Sequence, residues 1–334
     1  MAKIAIVGFG LVGRIAALAL VKQHQLTVFE QDNEHTLGSA GSLAAAMLAP
    51  LAESVSCEAD LAEQGLQAVA LWQTILADLT QPVMLQQAGS LVVAHPQDRG
   101  DLQSFQQRLK PLQGHQAQRL DGQAIAALEP ELAGRFHQGL FLGCEGQLDN
   151  LAFYAASFAH LQQQAVDFRF NTQALITMTS VNGEPFDWIL DCRGIGAKTD
   201  LPKLRGVRGE VARVYAPEVN LTRPIRLMHP RYPIYIAPKP QHEFVIGATE
   251  IESQDMGPVT VRSTLELLSA AYTVHSGFAE AKVLALRAGL RPAFVDNRPH
   301  VQREGRVIHI NGLYRHGFLL APSVVQQALS EVLQ

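Results

Sequence analysis

Three glycines near the start of the chain, Gly8, Gly10 and Gly13, have the spacing GxGxxG, with which backbone can hold a pyrophosphate. The first permits a tight turn and the second lets backbone approach the phosphates. The third lets a helix pack close to a strand. Glu30 follows 20 residues after Gly10. A carboxylate there accepts hydrogen bonds from both hydroxyls of a ribose and repels a 2′-phosphate. The elements that must position these groups are legible around them. Residues 3–7 form a short apolar run with β-branched members, which predicts a central parallel strand. Residues 14–22 carry Ile15, Leu18 and Ala19 on one helical face. Residues 26–29 then form a second strand that ends at the acid. Strand, glycines, helix, strand and acid in that order predict dinucleotide binding, and leave NAD and FAD undecided.

The whole chain has 334 residues and is 47% hydrophobic, enough for one large domain or two interlocked ones. Its 27 Lys and Arg against 31 Asp and Glu, with no basic block, argue against nucleic acid or an anionic membrane as partner. The three cysteines, Cys57, Cys144 and Cys192, lie far apart without a CxxC. A disulfide framework or zinc site is therefore not expected, and reduced thiols are. The 12 histidines show no HxH or HExxH, so no metal site is predicted. Residues 3–20 are apolar, but Gly8, Gly10, Gly13 and Arg14 interrupt them and no cleavage site follows. No run reaches the ~18 uncharged apolar residues of a membrane span. A soluble cytoplasmic protein without membrane insertion is expected.

Further along, residues 58–80 predict an amphipathic helix, 90–94 a strand and the region around 102–109 a short helix. Residues 151–164 read as a helix and 166–170 as a strand. Residues 189–192 form a buried strand entering a second glycine turn, Arg193-Gly194-Ile195-Gly196. Residues 209–215, 234–237 and 244–248 alternate as antiparallel strands. Residues 260–275 form a helix and 307–310 a last core strand. Small residues dominate 38–46, where backbone can lie against a ligand; the alanine-rich part is expected to form a helix whose N-terminus faces the pyrophosphate.

The stretch SLAAAMLAPLAE, residues 42–53, resembles the flavin-contacting segment of the D-amino-acid oxidase family of FAD enzymes. Within that family the likeness is to the glycine oxidases of thiamine-thiazole biosynthesis. Residues 288–292 (AGLRP) and 312–322 (GLYRHGFLLAP) resemble the family's closing motifs. Residues 145–149 (EGQLD) and 208–211 (RGEV) resemble its two domain crossings, so the likeness runs in order along nearly the whole chain.

The resemblance implies an α/β fold: a Rossmann-like FAD-binding domain of glutathione-reductase type, with an inserted α+β substrate domain containing an antiparallel sheet. The FAD domain would take residues 1–84, 140–205 and 286–334, and the substrate domain 85–139 and 206–285. It implies non-covalent FAD, since no cysteine follows Arg291. Gly8, Gly10, Leu11, Val12 and Gly13 would form the pyrophosphate turn, with Glu30 and Gln31 at the ribose. Ala40, Gly41, Ala45, Ala46 and Met47 would lie along the flavin, Met47 also beside substrate, and Ala174 would meet adenine. Gly194, Leu313, Tyr314, His316, Gly317, Phe318 and Leu319 complete the cofactor set, His316 at the rim of the site, and Pro322 would sit in the first turn of a closing helix. Ala46 stands where the family has glycine.

Arg291 would hold the substrate carboxylate, a role that a guanidinium fork suits and that an Arg-Pro pair rigidifies. Arg315 and Tyr235 would line the same pocket. Tyr232 and His229 are the neighbouring alternatives to Tyr235, since loop length here departs from the family pattern, and Pro233-Ile234 stands where a pocket histidine is expected. The implied reaction is hydride transfer from the Cα of glycine or another small amino acid to flavin N5. It gives an imine, then glyoxylate and ammonia, with O2 leaving as hydrogen peroxide. A D-amino-acid dehydrogenase with a non-oxygen acceptor, a nicotinamide dehydrogenase and a flavin-bound accessory protein remain the alternatives. Assembly into a homo-oligomer is left open.

Overall fold

The computed structural model describes residues 1–228 and 233–330. The strand Lys3–Val7 is closed off on both faces, with Ile4, Ala5 and Ile6 fully buried. That is the environment of a parallel strand covered on both sides. It pairs in parallel with Gln25–Phe29 on one side and Trp188–Asp191 on the other. Asp167–Arg169 extends one edge, and Val307–Asn311 with the antiparallel His300–Glu304 completes the other. The helices Leu11–Leu20, Ala59–Ala77, Asn150–Gln162 and Gly317–Leu329 share one apolar core with this six-stranded sheet.

A second sheet has eight strands in the order Lys282–Ala293, Arg205–Tyr215, Glu243–Gly247, Ile234–Lys239, Ile225–Leu227, Ser90–Val93, Gln138–Leu142 and Gln118–Asp121. Its neighbours are antiparallel except Ile225–Leu227 beside Ser90–Val93. The helix Val261–Val274 covers one face with Leu267, Ala270, Ala271 and Val274. A small sheet of Met47–Leu48, Gly146–Leu148 and Leu85–Gln86 lies between the two. The buried Lys239 ammonium joins them, donating to the Ala45 and Leu148 carbonyls at 2.7 and 2.8 Å and to Gln147 Oε1 at 3.0 Å.

Three local expectations are corrected. The first helix begins at Leu11, three residues before Arg14, so it starts directly on the glycine turn. The alanine-rich stretch forms only one helical turn, Ala40–Leu43. The chain is already extended at Ala44, with φ −65° and ψ 151°, and then turns at Ala46, whose φ is +52°, into the strand Met47–Leu48. Pro322 lies inside the helix Gly317–Leu329 and not in its first turn. The proline removes the N–H that would bond the Phe318 carbonyl, and the Trp72 indole donates to that oxygen instead at 2.7 Å.

Candidate active site

Two helices begin at one cleft. Leu11–Leu20 starts after Gly10 and Gly317–Leu329 after His316, and neither N-terminus has a side-chain cap or an acid in its first turn. Their free N–H groups and dipoles present partial positive charge to the space between them. Gly8 has a φ of +95° and packs on the Cys192 carbonyl, where no side chain fits. The Glu30 carboxylate at the end of its strand accepts from the Phe9 N–H at 2.6 Å and the Asp32 N–H at 3.0 Å. Arg14 is fully buried between the rings of Phe9 and Tyr154 and donates to Thr36 and the Glu34 carbonyl, fixing the loop beyond Glu30.

The cleft has a volume of about 880 Å³. Every residue expected to bind cofactor or substrate lines it except Gly13. Gly13 stands behind the wall, against the Gly8 carbonyl, where a Cβ would collide. Its role is therefore close helix–strand packing. Pro233 lines the cleft where the pocket histidine was sought, while Ile234 is buried. Tyr232 and His229 lie outside the described residues.

At the far end, Arg291 lies in the strand Lys282–Ala293 beside Gly209. A Cβ on Gly209 would occupy the space of the guanidinium, so this glycine is what lets Arg291 face the cleft. Arg291 donates to the Thr249 carbonyl at 3.0 Å and the Arg208 carbonyl at 3.4 Å, and among the described residues has no carboxylate partner. Arg315 is taken up on two sides: its Nε lies 3.0 Å from Glu53 Oε2 and its Nη1 3.0 Å from Glu250 Oε2. The Tyr314 hydroxyl also donates to Glu250. Tyr235 pairs across the sheet with Arg226, and burial pushes its phenol up.

Glu53, Arg226 and Glu250 complete this end and were missed in the sequence. Burial alone would raise the Glu53 carboxyl, but Arg315, Arg226 and His316 hold it down to about 2. Its Oε1 accepts from Arg226 at 3.1 Å, and His316 Nδ1 lies 3.5 Å from its Oε2. His316 is thus a buried wall residue, not a rim residue, and burial lowers its basicity. The signal for Glu53 was present: it is the only charged residue between residues 36 and 57. Burial pushes the thiol of the half-buried Cys57 beyond it up to about 11, away from the thiolate form that a nucleophile needs.

Residues 3–326 match the DAO family, FAD dependent oxidoreductase. The chain belongs to this family. A Rhizobium etli protein assigned by name to thiamine biosynthesis as the oxidoreductase ThiO is 42% identical over 332 residues, 99% of this chain and 96% of that one. The glycine oxidase of Bacillus subtilis is 30% identical over 125 residues, 35% of this chain and 31% of its own. The crystal structure of glycine oxidase from Geobacillus kaustophilus superposes with a TM-score of 0.81 at 23% identity, covering 98% of this chain and 93% of that one. That of the iminodiacetate oxidase from Chelativorans sp. superposes with a TM-score of 0.82 at 21% identity, covering 99% and 95%. The chain is therefore an FAD-dependent oxidoreductase with this fold. The donor set suits the cofactor: uncapped helix starts for the anionic pyrophosphate and flavin edge, and an acid at the strand end for a ribose.

Proposed function

We propose that this oxidoreductase converts glycine or another small amino acid, with water and O2, to the α-keto acid, ammonia and hydrogen peroxide; for glycine the keto acid is glyoxylate. The observation that carries this is Arg291, a guanidinium on the cleft wall whose only partners among the described residues are two backbone carbonyls. It is free to take a carboxylate in bidentate fashion. Bound in the cleft, FAD supplies a two-electron acceptor. Gly8, Gly10, Leu11 and Val12 would hold its pyrophosphate, Glu30 and Gln31 its ribose, and Ala174 its adenine. Ala40, Gly41, Ala45, Ala46, Met47 and Gly194 would follow the ribityl and ring system. The turn from Leu313 to Leu319 would set the helix start against its far edge.

The chain's own residues orient the substrate. Arg291 fixes the carboxylate, so the Cα–H bond has a defined direction. Tyr235 closes one side of the pocket and Met47 another. Arg315, locked between two acids, cannot swing toward solvent and keeps the wall rigid. Non-covalent attachment of FAD and a division into residues 1–84, 140–205 and 286–334 against 85–139 and 206–285 belong to the same proposal. The strands Gln138–Leu142 and Lys282–Ala293 would cross between the two parts. The R. etli relative's name supports a role in thiamine biosynthesis, into which the glycine-derived imine would feed.

The test is a visible spectrum of the purified protein followed by anaerobic addition of glycine. Flavin bands that bleach support both cofactor and reaction. Arg291→Ala should remain yellow and need at least 100-fold more glycine for half-maximal bleaching, the scale of a lost charge-assisted pair. A yellow protein that no small amine bleaches, or an Arg291→Ala variant with unchanged demand, overturns the assignment. Bleaching without oxygen consumption would instead favour a non-oxygen acceptor.

A further inference from the structure

The substrate end of the cleft carries three guanidinium groups, and two are already spoken for. Arg226 and Arg315 share the buried carboxylate of Glu53. The remaining edge of Arg315 meets Glu250, which also accepts from the Tyr314 hydroxyl. Only Arg291 lacks an acid among the described residues. The substrate end of the cleft therefore offers one guanidinium for an incoming anion.

Glu250 is held so that its charge stays there. The residues on either side are pinned: the Thr249 hydroxyl accepts from the Glu210 N–H at 2.9 Å, and Ile251 exchanges backbone hydrogen bonds with Arg208 at 2.9 and 3.0 Å. The side chain itself is 39% exposed and faces the cleft. A second carboxylate approaching Arg315 would meet this one on the same guanidinium, and like charges that close repel. Without the charge, this repulsion is gone, and at least one of Arg315 Nη1 and the Tyr314 hydroxyl is left without its acceptor.

We propose that Glu250 is a specificity-determining residue that restricts the cleft to amines bearing a single carboxylate and excludes dicarboxylic ones. This rests on the amino-acid oxidase reading above. Glu53 could not play the part, because it is buried and its loss would strip Arg226 of its acid and leave Arg315 with Glu250 alone.

The test uses the FAD-loaded holoenzyme and two inert acids, methoxyacetate with one carboxylate and diglycolate with two. Binding is read from the perturbation of the flavin absorbance. The wild type should prefer methoxyacetate at least tenfold. Glu250→Gln should shrink that preference about tenfold, equivalent to about 1.4 kcal/mol, and Glu250→Asp should keep it. Should Glu250→Gln fail to retain FAD, Glu250→Ala must show the same shrinkage. An identical preference in wild type and the uncharged variants, or no preference in the wild type, overturns the proposal. Glycine added anaerobically to the same wild-type sample separates the two readings. Bleaching with an unchanged preference sinks only the Glu250 assignment, and no bleaching by any small amine sinks the reading beneath it.

Discussion

Two buried acids stand behind the candidate site in opposite states, and their surroundings explain why. Glu53 faces Arg315, Arg226 and His316 and is held at about 2. Glu145 lies one hydrogen bond away, accepting from the Ala52 N–H at 2.6 Å and from Ser90 Oγ at 2.5 Å. Its burial outweighs the pull of Arg226, and the carboxyl is pushed up to about 7. Between about pH 4.5 and 7 the folded chain thus keeps a proton on Glu145 that the unfolded chain gives up, so this group's contribution to stability falls as pH rises. Glu145→Gln should therefore match the wild type near pH 4 and exceed it at pH 8 by roughly 3 kcal/mol, from ~1.4 kcal/mol per pKa unit. Urea unfolding at the two pH values measures this, and equal gains at both would sink it. Neither acid's state was legible in the sequence. Glu53 is 173 and 262 residues from the arginines that set its charge, whereas the glycines and Glu30 act within one local unit and could be read from spacing.

Elements were legible where their period was long. The helices Ala59–Ala77, Asn150–Gln162 and Val261–Val274 fall where apolar spacing put them. The strand Ile225–Leu227 did not show, since three residues carry no period, and it hides Arg226. The alanine-rich stretch was misread for a different reason. Helix propensity favours a run of alanines, but the chain must turn at Ala46 so that Met47 and Leu48 can pair with Gln147 and Gly146. That turn needs a positive φ, which costs an alanine roughly 1 kcal/mol and a glycine almost nothing. Ala46→Gly should thus stabilise the folded chain by up to about 0.5 kcal/mol, the strain relieved slightly exceeding the added freedom of the unfolded chain. The unfolding midpoint in urea checks this, and a lower midpoint would show that the Ala46 methyl contributes more through packing than its backbone loses.

At the scale of the whole molecule, the cleft gathers residues 8–12, 40–47, 289–292 and 313–319, and both large sheets contribute to its wall. Composition and spacing do not bring those segments together; the family resemblance did. A cofactor in the cleft would therefore touch both sheets and tie their unfolding together. Ligand at 100 times its dissociation constant adds about 2.7 kcal/mol to the folded state. With an unfolding entropy of ~2.1 cal/mol/K per residue over 334 residues, that corresponds to a rise in Tm of about 4 °C. Calorimetry of apoprotein and of protein saturated with FAD measures it. A single transition moving upward by about that amount is expected, because each sheet loses contacts when the other opens. Two transitions, of which FAD moves only one, would mean that the cofactor rests on the six-stranded sheet alone and that the eight-stranded sheet closes over it independently.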